Sequence, residues 1–212
     1  MPRIVAISDT HCQMGKVKLP DGDILIHAGD LTNRGSIRET SMEMTILNQL
    51  ADRFKHVIYV AGNHDWLPYM DRNVASSLLG RVQYLEDSMI EVEGLRIYGS
   101  PWTPLFMDWA FMLPRQGEAI RAKWDKIPDG VDVLVTHGPA YGILDQNPQG
   151  FAVGCEQLTS ALSVMAVPPK HHIFGHIHDS YGTHVGEKTK SYNVAVCNER
   201  YQPLNKPTVI EV

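Results

Sequence analysis

Ile4-Val5-Ala6-Ile7-Ser8-Asp9-Thr10-His11 and Ile24-Leu25-Ile26-His27-Ala28-Gly29-Asp30 decide how this chain is read. Each is a short apolar run, rich in β-branched residues, that ends in polar side chains able to ligate a metal. Ile4–Ile7 and Ile24–His27 are expected to be buried strands. Ser36-Ile37-Arg38-Glu39 then reads as a capping box. Met42, Ile46, Leu50 and Phe54 follow at spacing four, predicting the core face of a helix. Val57–Val60 is a third strand. A strand-loop-strand-helix-strand order favours a parallel or mixed sheet covered by helices.

The middle of the chain predicts short strands at Val82–Leu85, Met89–Val92 and Leu95–Tyr98, with a tight turn at Glu93-Gly94. Pro101–Gly117 is rich in Pro, Met and aromatics and has no clear period. A helix over Ala119–Ile127 should stop before Pro128. Val131–Thr136 is another strand, followed by a long loop to Gly154 and a helix through Leu158, Leu162 and Met165. Val194–Val196 and Val209–Val212 are expected to close the chain as strands. No repeat and no linker divides residues 1–212, so one α/β domain is expected.

Composition excludes several classes. The 212 residues are 43% hydrophobic and 20% charged, enough for a real core. Lys plus Arg number 19 and Asp plus Glu 24, a formal charge of −5. That balance is a poor match for polynucleotides or anionic membranes, which are held mainly by Lys and Arg. No apolar run approaches the roughly 18 residues that span a bilayer. Met1-Pro2-Arg3 runs directly into a strand without the apolar region of a secretion signal, so a cytoplasmic location is expected. Cys12, Cys155 and Cys197 have no CxxC spacing and are expected to be reduced thiols.

Chemistry concentrates in five clusters: Asp9-Thr10-His11, Gly29-Asp30, Gly62-Asn63-His64-Asp65, Thr136-His137-Gly138 and Gly175-His176-Ile177-His178. The first four follow predicted strands, where the loops of an open α/β sheet converge on ligands. Asp, Asn and His offer oxygen and imidazole donors and no thiolate, a set suited to two divalent ions. Asp30 is the natural bridging carboxylate. Asp9, His11 and His178 would complete one ion, and Asn63, His137 and His176 the other. The glycines beside these ligands permit tight turns and close backbone approach. Each fragment alone is weak, but all five in this order are specific.

DxH, GD, GNH(D/E), H and GHxH together resemble the calcineurin-like metallophosphoesterase family, and every position of that pattern is filled here. Leu95–Pro104, Leu113-Pro114-Arg115, Thr136–Pro139 and Gly154-Cys155 are similar to the metallophosphoesterase-domain branch known from animal brain. Some members of that branch carry Gly where this chain has His176. The resemblance spans nearly the whole chain. It implies a four-layer α/β/β/α sandwich of two mixed sheets flanked by helices, and phosphoester hydrolysis at a dinuclear centre of Mn, Fe, Zn or Ni. It also implies phosphodiester substrates, including cyclic nucleotides.

Two ions about 3.5–4 Å apart acidify a shared water, whose hydroxide would attack phosphorus in line. His64 is expected to protonate the leaving alkoxide, with Asp65 orienting its ring. Asn33 and Arg34 follow Asp30 and are candidates to reach substrate. Trp102, with Phe106, Trp109 and Phe111, is a candidate pocket wall, although core packing or a homodimer interface would use the same residues. Tyr141 follows His137 in a long loop and is a further candidate. The expected partner is a small phosphodiester, with no polynucleotide and no membrane. A phosphomonoesterase or protein phosphatase on the same ions is the alternative, and a non-catalytic scaffold a distant third.

Overall fold

The computed structural model describes residues 1–212. Its elements, in chain order, are β1 (Arg3–Ile7), β2 (Ile24–Ala28), α1 (Ile37–Leu50), β3 (His56–Val60), α2 (Trp66–Met70), α3 (Arg72–Leu78), β4 (Gln83–Tyr84), β5 (Ser88–Val92) and β6 (Leu95–Ser100). Then come β7 (Thr103–Pro104), β8 (Met112–Leu113), α4 (Glu118–Trp124), β9 (Val133–Thr136), α5 (Glu156–Val164), β10 (His171–Phe174), β11 (Gly182–Val185), β12 (Lys190–Asn193) and β13 (Thr208–Glu211).

Two mixed sheets form the body. One runs β13-β1-β2-β3-β4 and the other β11-β12-β10-β9-β6-β5. Strand alternation explains how they stack. Ile4, Ala6, Ile24, Ile26, Ile58 and Val60 from the first sheet meet Ile97, Val133, Val135 and Ile173 from the second in one buried layer. The alternate residues Val5, Ile7, Leu25, Val57 and Tyr59 face outward with Met44 and Leu47 of α1. On the far side, Tyr98 and Leu134 pack in the layer that holds Ile120 and Trp124 of α4 and Leu158 of α5. The result is the expected α/β/β/α order.

Register places the strand ends together. Ile7 pairs with His27 and Ala28 with Val60, so β1, β2 and β3 finish level at their carboxyl ends. In the second sheet Ser100 pairs with Thr136. The two sheets are joined beyond β1. The Ser8 N–H donates to Val194 O at 3.0 Å, and the Val196 N–H donates to Ser8 O at 3.0 Å.

Two expectations need correction. The fully buried residues of α1 are Thr40, Glu43, Met44 and Leu47; of the spacing-four stripe, Ile46 and Leu50 pack half-buried against the core and Met42 points away from it. Met42 is 57% exposed and Phe54 lies beyond the helix, although it is buried. A strict spacing of four drifts around a helix of 3.6 residues per turn, whereas Thr40, Glu43, Met44 and Leu47 stay on one side. Val194–Val196 is not a regular strand; Ala195 makes only an isolated bridge to Ser8. The Ser36 capping box is present, with its hydroxyl accepting from the Glu39 N–H.

Candidate metal centre

The converging strand ends hold the five clusters. Asp9 and His11 follow β1, Asp30 follows β2, Asn63 and His64 follow β3, His137 follows β9, and His176 and His178 follow β10. Four of these residues take left-handed backbone: Asp9 (φ 54°), His11 (φ 45°), Asp30 (φ 54°) and His176 (φ 69°). Such angles are uncommon outside glycine, and Asp and His tolerate them better than most. Strain of this kind persists only where surrounding structure enforces it. Gly29 (φ 103°) is part of that enforcement, since a Cβ there would collide with the His137 ring.

Three groups of ligand atoms form, each within 4.8 Å: Asp9, His11 and His178; His11, Asp30 and His64; and Asp30, His137 and His176. Asp30 therefore joins the two ends of the cluster. Its Oδ2 lies 3.8 Å from His11 Nε2 and 3.9 Å from His64 Nε2, and its Oδ1 lies 3.4 Å from His137 Nε2. Asn63 Oδ1 is 2.9 Å from His137 Nε2. Asp9 Oδ1 is 3.2 Å from His178 Nε2.

The donor set fits cations, and backbone carbonyls prepare it. His137 Nδ1–H donates to Ala28 O at 3.0 Å, and His178 Nδ1–H donates to Asn198 O at 3.1 Å. Each ring thus turns Nε2 inward, the arrangement that outer partners of metal-ligating histidines impose. Electrostatics agree. Burial alone would push the Asp9 carboxyl up, but the His178 hydrogen bond and neighbouring imidazoles hold it well below the usual carboxylate range. Asp30 is lowered in the same way against its burial, chiefly by His137. Burial disfavours the charged forms of His137 and His178, yet Asp30 and Asp9 respectively raise them to about 9. Burial takes His11 down to about 4 and His176 to about 3. Two buried carboxylates are balanced by two imidazolium charges, which divalent ions would replace.

A cleft of about 300 Å³ opens over these groups, lined by His11, Asp30, Asn63, His64, His176 and His178 on its floor. Phe106, Met107, Trp109, Glu199 and Tyr201 form its walls. His64 Nδ1–H donates to Asn33 O at 2.7 Å, and the Trp109 ring lies against the imidazole with centroids 4.3 Å apart.

The structure departs from several expected roles. Asp65 does not orient the His64 ring. Its Oδ2 accepts from the N–H groups of Leu31 (3.2 Å) and Gly62 (2.8 Å), and its Oδ1 from the N–H (2.9 Å) and hydroxyl (2.7 Å) of Thr32. It is a clamp between the Asp30 and Asn63 loops, and its carboxyl is raised by burial and by Asp30. Asn33 instead supplies the carbonyl that holds His64. Arg34 is exposed, with its N–H on Glu39, and is not a cleft residue. Trp102 is 8% exposed, packs edge-on against Phe111 and donates to Asp87 at 3.2 Å, so it belongs to the core. Tyr141 is exposed and its N–H is paired with Cys155 O, away from the cleft walls. Asn198, Glu199 and Tyr201 escaped sequence reading. Tyr201 packs edge-on to His11, with centroids 4.6 Å apart. Their one signal was position, after the apolar run Val194–Cys197, the same placement as the recognised clusters.

Comparison with known proteins agrees with this geometry. The family model for calcineurin-like phosphoesterases matches residues 2–180. Metallophosphoesterase domain-containing protein 1 of Homo sapiens is 40% identical over 235 residues, covering 99% of this chain and 71% of that protein. The Mus musculus protein of the same name matches equally. A UPF0046 protein of Caenorhabditis elegans is 35% identical over 231 residues, covering 99% of this chain and 80% of its own. One solved structure superposes with a TM-score of 0.68 at 13% identity, covering 91% of this chain and 90% of the other, a likeness of fold. The chain belongs to the calcineurin-like phosphoesterase family.

Proposed function

We propose that this chain hydrolyses small phosphodiesters, cyclic nucleotides of the 2′,3′ and 3′,5′ kinds among them, with Mn as an effective metal. One observation carries the diester reading: no lysine or arginine lines the cleft. A phosphomonoester brings a dianion, and its second charge needs fixed cationic partners. A diester brings one charge, and the metal site suffices for it. Glu199 on the wall weighs further against a dianion. Phe106, Met107, Trp109 and Tyr201 supply an apolar, largely aromatic surface of the kind on which a base packs.

Divalent ions at Asp9, His11, Asp30, Asn63, His137, His176 and His178 would polarise the phosphoryl oxygens and acidify water. The chain supplies the rest. With Nδ1–H committed to Asn33 O, His64 presents Nε2 to the cleft, 3.9 Å from Asp30 Oδ2. From there a protonated Nε2 delivers its proton to the departing oxygen. The His64 N–H donates to Asp30 Oδ1 at 2.8 Å, so the acid and the bridging carboxylate keep one relative position.

The test is a side-by-side assay of Mn-loaded protein on bis-p-nitrophenyl phosphate, p-nitrophenyl phosphate, and 2′,3′- and 3′,5′-cyclic AMP. Diester kcat/KM should exceed monoester kcat/KM by at least about tenfold. A monoester preference would overturn the substrate class. His64→Ala should retain its metals, and its rate on cyclic AMP should fall by about 10²–10⁴. The loss on bis-p-nitrophenyl phosphate should be much smaller, because p-nitrophenolate leaves without a proton. Equal losses on both substrates would remove His64 from the acid role.

A further inference from the structure

Glu199 lines the metal cleft and has no part in the chemistry above. It belongs to a turn that also carries Tyr201, and hydrogen bonds fix that turn. Tyr201 takes left-handed backbone (φ 56°), an outlier for so bulky a residue. Its N–H donates to Asn198 O at 2.8 Å, and Gln13 Nε2 donates to its carbonyl at 2.6 Å. Asn198 Oδ1 accepts from the N–H groups of Arg200 and Gln202, each at 3.0 Å. Strain of this kind clusters where a side chain must be held for a ligand. The Tyr201 ring is held 6.4 Å from the His64 ring, and Trp109 approaches the same imidazole at 4.3 Å between centroids.

Charge makes Glu199 informative. Its carboxylate is in no ion pair, and the group that meets it is the like-charged Asp179. Arg200, its neighbour in the chain, does not line the cleft. Divalent ions would neutralise Asp9 and Asp30 on the floor but not these two. An unpaired carboxylate on the wall repels an anionic substrate unless that substrate brings a positive charge to it. The wall around it is apolar, and Phe106, Met107 and Tyr201 keep much of their surface open. Aromatic faces attract a cation within about 6 Å of their centroids. Trp109 and Tyr201 flank His64 closely enough for one cation to satisfy that limit with both. A primary ammonium brings three N–H donors that need acceptors. A quaternary ammonium brings none, which suits apolar side chains and a single carboxylate.

We infer that the wall formed by Phe106, Trp109, Glu199 and Tyr201 receives a quaternary ammonium group, and that diesters with a choline-type arm are preferred substrates. The inference rests on the diesterase function proposed above and names a substrate class within it. The monoanionic phosphate goes to the metal positions and the ammonium to the wall. Such a zwitterion has no net charge for Glu199 and Asp179 to repel. The reaction stays a hydrolysis. The water oxygen bonds to phosphorus, one ester P–O bond breaks, and the two water protons pass to the departing oxygen, the phosphate product or solvent.

The test compares p-nitrophenyl phosphocholine with its uncharged isostere, p-nitrophenyl 3,3-dimethylbutyl phosphate, on the Mn-loaded full chain. Bis-p-nitrophenyl phosphate is assayed alongside. The first two esters share shape and leaving group and differ only in the charge at nitrogen. The choline ester should have the higher kcat/KM, by at least about fivefold. Glu199→Gln, at an exposed position, should cut that ratio to about twofold or less, with the change in KM. Glu187→Gln lies on the turn between β11 and β12, at the end of the second sheet away from the cleft, and should leave the ratio unchanged. Equal kcat/KM for the two esters, both being hydrolysed, would overturn the inference and leave the diesterase function standing. Failure to hydrolyse any of the three diesters would overturn both. A ratio unmoved in Glu199→Gln, or lost equally in Glu187→Gln, would remove Glu199 from the site and overturn the inference.

Discussion

Asp65 shows how much a single buried carboxylate can hold. It is 1% exposed and accepts four hydrogen bonds from Leu31, Thr32 and Gly62. Asp65→Ala would leave those donors unsatisfied, at about 1–3 kcal/mol for each that stays buried. The expected loss is at least about 3 kcal/mol by urea denaturation. Metal retention should fall with it, because the clamped loops carry Asp30 and Asn63. A stability change under about 1 kcal/mol would show that the clamp is dispensable. His172 makes a different prediction, in pH. Its folded value is about 3 against an ordinary 6.5, so the unfolded chain binds the extra proton between those limits. A depressed value contributes stability above the unfolded pKa that is lost as pH falls toward the folded one. The stability of wild type relative to His172→Leu should therefore fall from pH 6.5 toward 3, by up to about 1.4 kcal/mol per pH unit. Parallel curves for the two proteins would contradict the buried neutral imidazole.

Among the elements, α1 offers the cleanest contrast between patterns. Leu47 is fully buried, and Leu47→Ala should cost about 2–5 kcal/mol. Met42 is 57% exposed, so Met42→Gln should change stability by no more than about 0.5 kcal/mol. Denaturation of both variants distinguishes the observed face from the spacing-four stripe; a large loss at Met42 would restore the stripe. The comparison also shows where legibility ended. The β1-β2-α1-β3 opening was readable because β-branched runs and the Ser36 cap are local signals. The α1 face was legible only in part: Ile46 and Leu50 pack on the core, but Met42 is as apolar as Met44 and only tertiary packing separates them. β10 escaped because it opens on His171-His172, which breaks the apolar run expected of a buried strand. Trp102 and Trp109 have the same type and the same loop. Which one reaches the cleft depends on the β7–β8 pairing at Thr103 and Met112.

The whole molecule is organised to bring level strand ends to one edge. That arrangement made Asp9, His11, Asp30, Asn63, His64 and His137 readable together, since their strand-end placement is visible in sequence, whereas His176 and His178 were read from their own spacing, the strand before them having escaped. The surrounding supports were not readable: Asn198 O behind His178, Asn33 O behind His64, and the Asp65 clamp are set by loop geometry. No helix is long and apolar enough to cross a membrane. Asp30 belongs to two of the three groups of ligand atoms and is placed to join two metal positions across the sheets. Metal content per chain, measured by plasma mass spectrometry after Mn reconstitution and desalting, tests it most directly when wild type is compared with Asp30→Ala. Wild type should bind two ions, and the variant should lose metal and diesterase activity together. An Asp30→Ala protein that keeps both ions and the full rate would contradict it.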